Sequence, residues 1–126
     1  MFLVVTALFE GATGVLLLLA PSLVFAFLLG LREVEPEMML VGRLAGAALL
    51  GLSVASWFAS SDGSRARRGL LAGLLIYNVA AVVLLAFAGA VLKMAGLLLW
   101  PAVFCHVALT LWNAGGLRCR RGQEAR

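Results

Sequence analysis

The chain reads as an all-α integral membrane protein, a bundle of four membrane-spanning helices with both termini on the cytoplasmic side. Three observations predict this. First, 63% of the 126 residues are apolar and 13% are charged, against about half and about a quarter in soluble chains. A soluble domain of this size buries only about two-thirds of its surface, so the surplus apolar side chains must face lipid. Second, the apolar residues fall into four long stretches separated by charged segments. Third, Val and Ile are outnumbered by Leu, Ala and Gly and show no sustained alternation, which disfavours strands. A closed barrel also needs at least about eight strands. The composition excludes a secreted disulfide scaffold, a cytosolic enzyme, a disordered tail and a nucleic-acid-binding module. The net charge of +4 comes from 10 basic residues gathered mostly in two short hydrophilic segments, where they report orientation in the membrane.

Residues 1–126 form one transmembrane domain in this reading, with spans at about 2–29, 38–59, 69–88 and 94–112 and a basic tail at 115–126. A bilayer core roughly 30 Å thick takes about 20 helical residues, and the last three spans fit. The first, at about 28 residues or roughly 42 Å, is too long. Pro21 accounts for this, because proline starts helices well and interrupts them badly. One long helix bent near Pro21 is expected, and a break that releases a short helix from Pro21 to Leu29 is the alternative. No basic residue precedes this run, and it exceeds a signal-peptide core, so it reads as a retained span.

The connections differ in sign. Arg32, Glu33, Glu35 and Glu37 make the first net negative. The second opens with residues 60–64 and continues through Arg65, Arg67 and Arg68. Lys93 is the sole charge in the third, a hairpin flanked by Gly89 and Gly96, and the tail carries Arg118, Arg120, Arg121 and Arg126. The Arg excess places the second connection and the tail in the cytoplasm. An even number of spans makes the two signals agree. A bacterial inner membrane is the natural setting. Trp57, Trp100 and Trp112 suit the interfacial belt. Pro101 inside the fourth span predicts a kink that frees the Leu97 carbonyl and opens a pocket beside Trp100. Cys105 and Cys119 lack CxxC spacing and read as free thiols, so no metal site is expected.

Polar residues within the spans carry the functional signal, since charge in the bilayer is costly and turns toward the bundle interior. Glu10 is flanked by Thr6 and Thr13 at i−4 and i+3, one helix face. Tyr77 and Asn78 lie mid-span on the third helix, and His106 leads a stripe through Thr110 and Asn113 on the fourth. Helix rise puts Glu10 at roughly 12 Å, Asn78 at roughly 15 Å and His106 at roughly 9–10 Å from the cytoplasmic side, with Ser53 at a similar level. A carboxylate, an amide and an imidazole from three helices thus share one layer. Glu10 can act as a proton carrier or base, or it can simply bond to Asn78 or His106. Arg43, roughly 7 Å below the outer surface, is expected to snorkel toward Glu35 or Glu37, with a reach down toward Glu10 as the alternative. Gly42 and Gly46, and Gly69 and Gly73, form two GxxxG motifs that suit helix packing or a homo-oligomer seam.

The segments Gly14-Val-Leu-Leu-Leu-Leu-Ala-Pro21 and Gly42-Arg-Leu-Ala-Gly-Ala-Ala-Leu-Leu-Gly51 resemble the DoxX-like small bacterial four-helix membrane proteins, in which a first helix ends at Pro and a Gly-Arg pair leads the second. The resemblance covers the first half of the chain and does not extend to Tyr77-Asn78, Trp100-Pro101 or His106. Some members resemble quinone-linked oxidoreductase subunits, which implies a quinone partner. The resemblance assigns no catalytic residue.

The resulting expectation is a mid-membrane polar pocket of Glu10, Asn78, His106, Thr6, Thr13, Tyr77, Ser53 and Thr110, with Arg43 above. It would bind a small amphipathic ligand, quinone or lipid, or relay protons. Haem is a minor option with a single His available. The rivals are an accessory subunit of a larger membrane complex, a small membrane enzyme, and an oligomeric channel or exporter. No HExxH, GxSxG or paired-carboxylate motif supports the enzyme. The Arg/Asn/Glu helix motif of the small four-helix glutathione transferases is also absent.

Overall fold

The computed structural model describes residues 1–61 and 65–124, and all regular structure among them is helical. Five helices follow in order: α1 (Phe2–Leu19), α2 (Pro21–Leu29), α3 (Pro36–Ala59), α4 (Arg65–Ala90) and α5 (Leu99–Glu124). Among the described residues α1, α3 and α4 are long and apolar enough to cross a membrane. Residues 62–64 and the side chains of the tail, including Arg118, Cys119, Arg120, Arg121 and Arg126, lie outside the described residues.

The first apolar run is two helices, not one bent one. Ala20 adopts φ −140°, ψ 60°, and Pro21 takes the first position of α2. A residue before proline is pushed out of the α region, and proline offers no N–H to the preceding turn. The last α1 bond runs from the Ala20 amide to the Leu16 carbonyl, at 2.8 Å. Nine residues later Gly30 closes α2 in the left-handed conformation, φ 77°, as a helix-ending glycine does.

The other boundaries also move. Pro36 starts α3, because its missing N–H costs nothing in a first turn. Arg65, Arg67 and Arg68, expected in a loop, form the first turn of α4. Gly89, expected to flank a hairpin, lies inside α4, and the connection runs over 91–98. There Lys93 takes φ 56°, and the Leu98 amide donates to the Phe27 carbonyl at 2.8 Å, which ties the connection to the end of α2. The expected kink at Pro101 is absent. Because α5 begins at Leu99, Pro101 falls in its first turn, where no i−4 bond exists to be broken. The Leu97 carbonyl lies outside the helix.

Packing makes two antiparallel pairs. Helix α1 lies against α3 through glycine. A Cβ on Gly46 would sit 2.7 Å from the Gly14 carbonyl oxygen and from the Leu18 nitrogen, and one on Gly14 would sit 2.9 Å from the Gly46 oxygen. Farther along the same seam, the Ser53 hydroxyl donates to the Ala7 carbonyl at 2.6 Å. Helices α4 and α5 pair along Leu71–Asn113, Asn78–His106 and Gly89–Leu99. The short α2 is clamped at the end of the bundle remote from the termini. Its Pro21 and Phe25 cover Gly42 of α3, and Leu28 backbone atoms touch Gly96. Large apolar side chains such as Leu8, Leu44, Ile76 and Phe104 are exposed, while Thr6, Glu10, Ser56 and Asn78 are fully buried. Apolar outside and polar inside is the arrangement a bilayer selects.

Candidate functional site

Two apolar clusters cap the polar layer. One joins Leu3 of α1 to Leu71 and Leu74 of α4, and the other joins Ala88 to Leu99 and Val103. Between them the polar side chains sort into bonded sets. Asn78 donates through Nδ2 to the Leu74 carbonyl at 2.7 Å. Its Oδ1 lies 2.8 Å from Nδ1 of His106. A carbonyl only accepts, so Nδ2 must face Leu74 and Oδ1 must face the imidazole. Nδ1 of His106 therefore carries a proton and donates, and in the neutral ring Nε2 is left as an acceptor. The rings of Phe9 and Tyr77 meet that imidazole edge to face, each with centroids 5.8 Å away.

Glu10 bonds to neither Asn78 nor His106, the partners expected from depth. The Tyr77 hydroxyl donates to its Oε2 at 3.1 Å, while Oε1 is buried without a partner. One residue of helix advance turns a side chain by about 100°, which is why Tyr77 and Asn78, adjacent in sequence, serve different partners. Tyr77 still touches both groups and joins the carboxyl to the imidazole.

A cavity of about 450 Å³ opens beside this pair, within the range of small-molecule sites. Of the expected pocket residues it takes Glu10, Thr13, Tyr77 and His106. Asn78, Thr6, Ser53 and Thr110 do not line it. Asn78 stands behind His106, and Thr6 is fully buried with its hydroxyl unpartnered. Ser53 is bonded into the α1–α3 seam, and Thr110 donates to the His106 carbonyl at 2.7 Å. Thr13 likewise donates to its own helix, at the Phe9 carbonyl. Arg43 is exposed and does not line the cavity, and no ion pair joins it to Glu10, Glu35 or Glu37.

The rest of the wall is mostly apolar and, Pro101 apart, was not expected from the sequence. Leu23, Val24, Phe27 and Leu28 come from α2, Leu98 from the connection before α5, and Pro101, Ala102 and Cys105 from the start of α5. Pro101 lines the cavity without a kink, whereas Trp100 points outward, 48% exposed. The Pro21 start and Gly30 stop were the readable signal for α2. Cys105 is a free thiol. Among the described residues no group of three His, Cys, Asp or Glu side chains could hold a metal ion. The two glycine motifs diverge. Gly42 and Gly46 are buried against α1 and α2, while nothing lies within 4 Å of a Cβ added at Gly69 or Gly73.

No protein-family model, curated protein or solved structure matches the chain.

Proposed function

We propose that the chain is a bacterial inner-membrane protein of four spans, α1, α3, α4 and the first half of α5, with both termini cytoplasmic, that binds one small amphipathic molecule between its helix pairs. The ligand, a quinone or a lipid, places its polar head against Glu10, Tyr77 and His106 and its apolar body along α2 and the start of α5. The DoxX-like resemblance of the first half fits a quinone. The observation that carries the reading is the unpartnered Oε1 of Glu10 on a residue that lines a mostly apolar cavity. A buried carboxyl oxygen without a donor costs about 1–3 kcal/mol or more, and in lipid no bulk water can relieve it. A ligand head does. Proton relay through the same carboxyl and imidazole is the catalytic extension of this site.

The test is thermal stability in detergent with added alkylquinone or phospholipid. Saturable stabilisation that is lost when Ala102→Phe fills the cavity supports the site. No stabilisation by either class removes it. A second reading, an accessory subunit or homo-oligomer, draws on the open Gly69–Gly73 face of α4. It predicts that Gly73→Leu abolishes co-purification of a partner or second copy while leaving the chain folded.

A further inference from the structure

The hydrogen bonds around the cavity decide which kind of head group it accepts. His106 turns its only ring donor away from the ligand, because Nδ1–H is held by Asn78 Oδ1 at 2.8 Å and Asn78 is itself fixed by the Leu74 carbonyl at 2.7 Å. The neutral imidazole therefore offers Nε2 as an acceptor. Tyr77 commits its hydroxyl proton to Glu10 Oε2, and Thr13 commits its own to the Phe9 carbonyl. The remaining hetero-atom on the wall is the Cys105 sulfur, whose S–H is a weak donor. With Glu10 ionised, its Oε1 is a second acceptor, buried and unpartnered. In that charge state the polar end of the cavity holds two acceptors and has spent its strong donors.

Resting on the proposed binding function, we infer that the site selects amphiphiles whose head group donates hydrogen bonds, a dihydroxy-aromatic head in preference to the corresponding dicarbonyl. A hydroxyl supplies Oε1 with the donor it lacks, and a second hydroxyl has Nε2 of His106 as its acceptor. A carbonyl head would face both acceptors with lone pairs and leave all of them unsatisfied. Sites built to bond a particular hydroxyl reject analogues lacking it far more strongly than apolar pockets reject a change of size. The aromatic edges of Phe9 and Tyr77 around His106 and the apolar α2 wall suit a ring carrying an alkyl chain.

The matched probes are an n-alkyl hydroquinone and the n-alkyl quinone of the same chain length, which differ by two hydrogens and hardly in volume. Binding of each to the detergent-solubilised full chain is measured under anaerobic conditions. The hydroquinone is expected to bind at least about tenfold more tightly, the factor that one hydrogen bond to a charged group provides. Glu10→Gln replaces one acceptor with an amide that can turn its NH₂ into the cavity, and the preference should shrink or reverse. Asn78→Leu frees the imidazole to place its proton on either nitrogen, and it too should weaken the preference while both probes still bind. Equal affinity of the two probes for the unmodified protein overturns the inference and leaves the binding function standing. A preference for the quinone also overturns it, by showing that Glu10 presents a proton to the cavity. Failure of both probes to bind, with the protein folded by circular dichroism, overturns this inference and the quinone form of the binding function together.

Discussion

The α1–α3 seam and the seam between those helices and the α4–α5 pair follow opposite rules. At the first, Gly14 and Gly46 bring two backbones together until an added methyl would collide with main-chain atoms. Backbone cannot move aside as a side chain does, so this contact has one geometry. At the second, Tyr77 bonds to Glu10 and His106 meets Phe9 across the gap, a cavity of about 450 Å³ remains, and one carboxyl oxygen has no partner. In a membrane, helix association gains little from apolar burial and relies on close packing and interhelical hydrogen bonds. The molecule uses the first device where it needs rigidity and the second where it can host a ligand.

Mutations separate the two seams. The largest expected effect is at Gly46. Gly46→Leu should destabilise the fold by about 3 kcal/mol or more, since overpacking here meets backbone, and its unfolding in detergent should be compared with that of Gly73→Leu. The latter lies in open space and should unfold like the unmodified protein. If the two behave alike, the glycine seam is not what fixes the α1–α3 contact.

His106→Ala comes next. It strands Asn78 Oδ1 in the interior and should cost about 1–2 kcal/mol, with His106→Gln recovering part of the loss. A cost near zero would mean that the Asn78–His106 bond does not join α4 to α5.

Ala102→Phe fills the cavity from α5. It should leave stability within about 1 kcal/mol of the unmodified protein while removing ligand-induced stabilisation. Loss of the fold would show that the space is a packed core and not a site.

The smallest effect is expected at Thr6. Its hydroxyl is buried and unpartnered, so Thr6→Val should be neutral or slightly stabilising, within about 1 kcal/mol. A clear destabilisation would reveal a polar partner for Thr6 beyond those bonded here.

The helical class and the apolar runs were legible because lipid leaves a long-range compositional mark that survives errors of a few residues. Glu10, Tyr77, Asn78 and His106 were legible as a group, since each stands alone in an apolar background. Their pairing was not. Depth follows from counting residues, but the direction a side chain faces depends on helix rotation, and at about 100° per residue an error of one position exchanges Tyr77 for Asn78. The apolar wall was hidden for a different reason. Leu23, Phe27 and Leu28 look the same in sequence whether they face lipid or a cavity. Only the break at Ala20, where α1 stops and α2 docks on α3 and α5, sets them along the cavity. Gly42–Gly46 and Gly69–Gly73 show the same limit, because one spacing serves a tight seam in the first case and an open face in the second.

The most direct test of the account is native mass spectrometry of the protein released from its own membranes, with an absorption spectrum of the same sample, for the unmodified chain and for Ala102→Phe. The account predicts one bound small molecule per chain in the first and none in the second, with both folded. An unmodified protein that carries no bound molecule, or an adduct that persists unchanged in Ala102→Phe, would contradict it and leave the Glu10–Tyr77–His106 layer as a structural joint between helices.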